Sequence, residues 1–166
     1  MHTYCLFCRT QRCKRIAQLM EIRGVDRAFS PQILQKQRVQ GENKKVLRDL
    51  LPGYIFIYNE TPITDYRIFY GMDGVIRRVG EAEEWYELQG GDREFALSLF
   101  DKDGTVGVMK IAAIGETVRL EDPLFANVEG QVTQIDYRKE RARVDFSFRG
   151  NACHTWVALD NVKEKK

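Results

Sequence analysis

The chain has 166 residues, 43% of them hydrophobic and 30% charged, with 26 basic against 24 acidic side chains. This is the make-up of an ordinary globular protein, long enough for one medium domain or two small ones. No apolar run approaches the ~20 residues of a membrane-crossing helix, and MHTYCLFCRTQRCKR places its basic residues after the apolar ones, the reverse of a secretory signal, so a cytoplasmic protein with no membrane partner is expected.

In chain order, YCLFCR (4–9) reads as a first strand. A helix follows over RCKRIAQLMEIRG, where Ile16, Leu19, Met20 and Arg23 fall at helical spacing and Gly24 signals the stop. DRAFSPQILQKQRVQ reads as extended chain, GEN (41–43) as a turn and KKVLRD as the return arm of a polar, basic hairpin. LPGYIFIY (51–58) is the next strand. TPITDYRIFYG reads as a helix with Thr61 at its N-cap and Pro62 at its first position, GVIRRVG as a short strand, and GDREFALSLFDK as a helix opened by Asp92. This order predicts an α+β fold, with a ferredoxin-like α/β sandwich over residues 1–102. The Gly-punctuated stretch 103–113 reads as a linker. Residues 114–166 alternate strictly, with turn signals about ten residues apart, and predict a small C-terminal β-barrel.

The four cysteines raise the question of a metal. Cys5 and Cys8 have CxxC spacing, but on a strand that spacing puts them on opposite faces, where they cannot share one ion. They and Cys13 and Cys153 are read as reduced thiols, and no metal or cofactor is expected. Charge is more informative. Residues 1–48 hold eleven Lys or Arg against three acids, a surface suited to a polyanion or simply a solvated basic face, whereas 81–103 hold eight acids against two bases.

The alternation in LPGYIFIY puts Tyr54, Phe56 and Tyr58 on one face and Ile55 and Ile57 on the other. Such a strand is either central and covered on both sides or presents its aromatic face to a partner. Catalytic arrangements do not compete: there is no Gly-rich phosphate loop and no HExxH, and His2 and His154 are the only histidines.

LPGYIFIY resembles the FPGYVFV strand of the NusG family of transcription elongation factors, and it lies between an aromatic first strand and a Gly74-Val75 strand, as in that family. The tail resembles a KOW module through Gly115-Glu116, Val118, Asp122-Pro123-Leu124, Glu129-Gly130, Val132, Ile135-Asp136, Lys139 and Arg141. The opening YCLFCRTQRCKRIAQLMEIRGV is similar to that of the specialised RfaH group, while the regular β pattern of the tail also suits the LoaP antitermination group.

The resemblance implies an N-terminal NGN domain that grips the clamp helices of the RNA polymerase largest subunit, here through Tyr4, Phe7, Leu51, Tyr54 and Phe56. It implies nucleic-acid contact, with a leader RNA hairpin or the non-template DNA strand, around Arg9, Gln11 and Arg12 at the first helix. Basic residues of the hairpin (Lys36, Arg38, Lys44, Lys45, Arg48) extend that set. A basic residue before the GV strand reads DNA in the RfaH group; Asp73 stands here instead, with Arg77 and Arg78 just beyond as substitutes. The barrel loop that binds Rho or a small-subunit ribosomal protein corresponds to Phe148, Arg149 and Gly150, with Arg149 replacing an aromatic. The expectation is a monomeric, non-enzymatic, operon-specific antitermination factor. The alternatives are a housekeeping NusG coupled to Rho or the ribosome, and a free-standing RNA-binding module.

Overall fold

The computed structural model describes residues 1–69, 71–79, 87–115 and 117–160. The chain divides into two compact units, one of Met1–Pro31 with Leu51–Gly104 and one of Gln32–Leu50 with Thr105–Lys166.

The first unit is built on an antiparallel sheet. Its strands are β1 (His2–Cys8), β2 (Arg27–Phe29), β5 (Tyr54–Asn59) and β6 (Val75–Val79), in the order β2-β5-β1-β6. The pairing Tyr4↔Ile57, Cys5↔Phe56, Leu6↔Ile55 and Phe7↔Tyr54 fixes which side chains share a face. Tyr4, Leu6, Cys8, Ile55 and Ile57 pack beneath α1 (Cys13–Ile22), whose Cys13, Ile16, Ala17 and Met20 form one apolar stripe. The helix ends at Gly24, which takes φ +109°, and the Val25 N–H closes the last turn on the Met20 carbonyl. On the opposite face α2 (Gly90–Asp101) sets Phe95 against Phe56, ring centroids 6.3 Å apart, and Phe100 against Tyr58 at 4.9 Å. The α/β sandwich therefore has one helix on each side of the sheet, and β5 is a central strand with both faces covered from Ile55 to Tyr58.

Two local expectations are corrected. No α-helix forms from Thr61; the chain has no regular secondary structure through Asp65 and makes only a 3-10 turn at Tyr66–Phe69. The Ile63 N–H, which a helix would leave free in its first turn, donates instead to the Tyr4 hydroxyl at 2.9 Å, and the Asp65 carboxylate caps the Arg67 N–H at 3.1 Å. α2 begins at Gly90, with Asp92 in its first turn where a carboxylate suits the helix dipole.

Among the described residues the second unit is built of β-strands with one 3-10 turn. β3 (Gln32–Val39) and β4 (Glu42–Asp49) form a hairpin through the two-residue turn Gln40-Gly41, both at positive φ, one step ahead of the turn expected at 41–43. The expected linker carries strands: β7 (Thr105–Val106) pairs in parallel with the start of β3, and Met109 bridges Leu159. β8 (Ile111–Ile114) and β9 (Thr117–Leu120) form a hairpin, and β10 (Gln131–Asp136), β11 (Arg141–Phe148) and β12 (Asn151–Ala158) a meander. Ala142, Val144, Phe146 and Phe148 of β11 alternate into the core beneath a 3-10 turn at Leu124–Val128, with Phe125 and Phe146 at 5.3 Å. A β-bulge between Val132 and Gln134 explains why the apolar positions of β10 step from Val132 to Ile135 rather than by two. Residues 161–166 of the expected barrel lie outside the described residues.

Candidate functional site

The LPGY turn is held by Cys8 N–H donating to the Gly53 carbonyl at 2.7 Å and Tyr54 N–H to the Leu51 carbonyl at 3.0 Å. Gly53 has φ +90°, and a Cβ there would meet the Cys8 carbonyl oxygen at 2.9 Å and the Phe7 ring at 3.0 Å. Glycine is what lets this turn press against β1. The turn positions Tyr54 edge-on to Phe7, centroids 5.1 Å apart, and both rings are partly open to solvent.

The other aromatic candidates are interior. Tyr4 is buried under α1, Leu51 is buried, and Phe56 is fully enclosed against Phe95. The same alternation that sets Phe7 on one face sets Tyr4 on the other. Of the five residues, the structure leaves Phe7 and Tyr54 as the surface pair.

Arg9, Gln11 and Arg12 are all exposed, around a 3-10 turn at Thr10–Arg12. Asp73 does not stand alone: its carboxylate takes the Arg12 guanidinium at 3.0 Å. The backbone at Gly74 accepts the Arg9 N–H at 2.8 Å, and a Cβ on Gly74 would strike Arg12 Cγ at 2.8 Å. The residue that departs from the RfaH pattern thus neutralises part of the basic cluster from within. Arg77 and Arg78 pair through their backbone with Phe7 and Leu6; their side chains lie outside the described residues.

Strand alternation divides the basic hairpin. The pairs Lys36↔Lys45 and Arg38↔Asn43 lie on one face, and Ile33↔Arg48 and Gln37↔Lys44 on the other. Lys44, Lys45 and Arg48 are exposed, Arg48 donating to Gln37 at 3.3 Å. Lys36 is different, its side chain only 11% exposed and paired with Glu140 at 2.6 Å. That pairing, which holds the Glu140 carboxyl below its ordinary range, links residues far apart in sequence and had no signal in the spacing.

In the β-module, Phe148 is fully buried and Arg149 stands at φ +53° in the turn before β12. Arg141 stacks on Trp156 at 3.9 Å on the outer face. A groove of about 730 Å³ runs beside Val118, Leu120, Pro123, Phe125 and Val132. Among the described residues the three buried cysteines are divided between the faces of the β1 sheet, Cys5 opposite Cys8 and Cys13, and no His, Cys, Asp or Glu cluster could hold a metal. No described helix is long and apolar enough to cross a membrane.

Residues 1–95 match the family model described as NusG, transcription termination factor nusG. The chain is 23% identical to the transcription termination/antitermination protein NusG of Buchnera aphidicola over 91% of its own length and 86% of that protein's. It is 24% identical to the NusG of Staphylococcus carnosus, over 91% and 84% respectively. The solved structure "Domain interaction in Thermotoga maritima NusG" shares its fold, with a TM-score of 0.57 and 14% identity over 95% of this chain and 93% of that one. The chain therefore belongs to the NusG family, whose members are transcription termination and antitermination factors and not enzymes.

Proposed function

We propose that this protein is a specialised NusG-like factor that binds the clamp helices of the RNA polymerase largest subunit and promotes processive elongation through terminators of selected operons. The observation that carries the reading is the Phe7–Tyr54 pair, two partly exposed rings in edge contact on a rigid sheet, at the position where the family resemblance puts the polymerase grip. Burying two such rings is worth about 1.5–3 kcal/mol each before the costs of association. That suits a specific grip that still releases. Action is then mechanical: a preference of about 1.4 kcal/mol for the gripping state of polymerase over the paused one changes pause occupancy tenfold.

Recruitment falls to the exposed Arg9 and Gln11 with the hairpin's Lys44, Lys45 and Arg48, taking a leader RNA hairpin or non-template DNA. The Arg12–Asp73 pair lowers the positive potential where the RfaH group reads DNA, which weakens that DNA contact. The test is Phe7→Ala with Tyr54→Ala, read by polymerase pull-down alongside circular dichroism. The double variant is expected to stay folded and lose polymerase. Wild-type retention by a folded double variant refutes the grip.

A general NusG that couples polymerase to Rho or to a small-subunit ribosomal protein is the second reading. It is favoured by relatives of that name matching along nine-tenths of the chain. Genome-wide occupancy separates the two: selected operons for the specialist, all transcribed operons for the generalist.

A further inference from the structure

The core of the β-module lies on one face of the β10-β11-β12 meander, and the other face is open to solvent at Gln131, Thr133, Gln134 and His154. Ala142, Val144, Phe146 and Phe148 of β11 turn inward, so Arg141, Arg143 and Asp145 turn outward. Trp156 of β12 lies directly across from Arg143, which puts its ring on the same outer face. The ring is partly exposed, and the Arg141 guanidinium stands 3.9 Å from its centroid. A tryptophan in this position adds nothing to the core on the far side of the sheet.

Each arginine of this face already has a carboxylate. Arg141 Nε stands 3.8 Å from Asp136 Oδ2, and Arg143 Nε donates to Asp145 Oδ1 at 2.9 Å, which holds the Asp145 carboxyl below its ordinary range. The face is therefore close to neutral and does not suit phosphate. What it offers is an indole ring, two guanidinium planes and the exposed amides of Gln131 and Gln134, groups that stack on bases and bond to their edges. A protein partner needs a contiguous apolar centre, which one tryptophan among arginines, amides and carboxylates does not supply. Charge for phosphates lies next door. The hairpin runs along β12, where Gln35 Nε2 donates to the Trp156 carbonyl at 2.9 Å. Its tip meets the β10–β11 turn, where Asn43 Nδ2 donates to the Arg138 carbonyl at 3.3 Å. The exposed Arg38, Lys44 and Arg138 thus gather at the end of the face where Arg141 begins β11.

We propose that the outer face of the meander is a base-stacking platform for single-stranded RNA, with a base laid on Trp156 beside Arg141 and Arg143 while the hairpin tip holds the adjoining phosphates. This deepens the reading of the hairpin as a nucleic-acid contact and rests on it. The ligand is unpaired, as in the loop of a leader hairpin, because a stacked duplex presents no base face to a ring. It is RNA because the exposed Gln131, Thr133 and Gln134 each donate and accept, the match of a 2′-hydroxyl that DNA lacks. The two halves work by different physics. Phosphate contacts weaken steeply with salt, whereas the stack on Trp156 involves no ion pair and adds affinity without adding to that dependence.

The experiment uses the full chain and three probes: a single-stranded RNA of about ten nucleotides, the DNA of the same sequence, and that RNA paired with its complement. Trp156→Leu removes the ring but keeps apolar bulk, and Trp156→Thr removes it with a strand-favouring residue, which guards against loss of the fold; circular dichroism checks both. Each is expected to bind the single-stranded RNA about 10-fold more weakly than wild type, with the slope of affinity against salt unchanged. Trp156→Phe, which restores a ring, should stay within about threefold of wild type. Lys44→Gln with Lys45→Gln should weaken binding of every probe and reduce the salt slope by about 1–1.5. Wild type should bind the DNA and the duplex at least about fivefold more weakly than the single-stranded RNA. If the double lysine variant loses affinity while a folded ring-less variant binds as wild type does, the platform is refuted and the hairpin reading stands. DNA bound as tightly as RNA, or a ring-less variant that loses duplex binding to the same extent, also refutes it. A wild type that binds none of the probes refutes both.

Discussion

Gly53 shows how one residue joins a sequence motif to a surface. Its φ of +90° suits no side chain, and an added Cβ would meet backbone oxygen at 2.9 Å, an atom that cannot swing away. Gly53→Ala is therefore expected to cost about 1–3 kcal/mol in denaturant unfolding and to disturb the Phe7–Tyr54 contact, lowering polymerase binding as well. Ionisation at single residues gives a second prediction. Burial, with the Cys13 thiol beside it, raises the Cys8 thiol from its ordinary 9.0 to about 12, and burial likewise pushes the Tyr58 phenol up from 10.0. Both groups stay protonated in the fold where the unfolded chain has begun to ionise. Their contribution is whole below pH 9.0 and is lost as pH rises from there toward the folded values. Unfolding free energy should decline above pH 9.0, and Tyr58→Phe should flatten the part of that decline above 10.0.

Among the elements, the two helices divide the sheet between them. Met20 is fully buried in the α1 stripe, so Met20→Ala should cost about 2–5 kcal/mol, while Gln18→Ala on the exposed side should stay within about 0.5 kcal/mol. Phe95→Ala removes the ring that encloses Phe56 and should cost about 3–5 kcal/mol, measured by chemical denaturation. The α1 stripe was legible because Ile16 and Met20 recur at helical spacing. The segment from Thr61 was not. Its Thr-Pro start has the local chemistry of a helix, but the chain there is anchored to β1 through the Ile63 N–H and the Tyr4 hydroxyl, a contact invisible to local reading. In the hairpin the basic residues were legible, but alternation sends Lys44 and Arg48 to one face and Lys36, Arg38 and Lys45 to the other.

For the whole molecule, the partition of the chain is itself a finding. The hairpin 32–50 belongs to the compact unit that holds the C-terminal strands, and the stretch expected as a linker contributes β7 and β8 to it. The β-module should keep its strands when separated, because β11 buries every second residue and Phe125 closes over Phe146. Residues 105–166 alone are expected to give a β-type circular dichroism spectrum; a mainly helical one would refute this. Gly130 lies close against the 3-10 turn of that module, where a Cβ would stand 2.6 Å from the Phe125 carbonyl oxygen. Gly130→Ala should accordingly destabilise the segment by about 1–3 kcal/mol.

The sequence by itself determined the alternation of β1, β5 and β11, the apolar stripe of α1, the glycine at the LPGY turn and the family, because all of these are local patterns or linear motifs. It determined which residues share a face: Tyr54 with Phe56 and Tyr58, and Cys5 opposite Cys8. It could not say what covers each face. Only the tertiary structure decided that α2 closes over Phe56 while Phe7 and Tyr54 remain partly open, and that Lys36 is held by Glu140 while Lys44, Lys45 and Arg48 are not. The physical reason is that periodicity is set by the backbone within one element, whereas burial and ion pairing are set by partners brought in from distant parts of the chain.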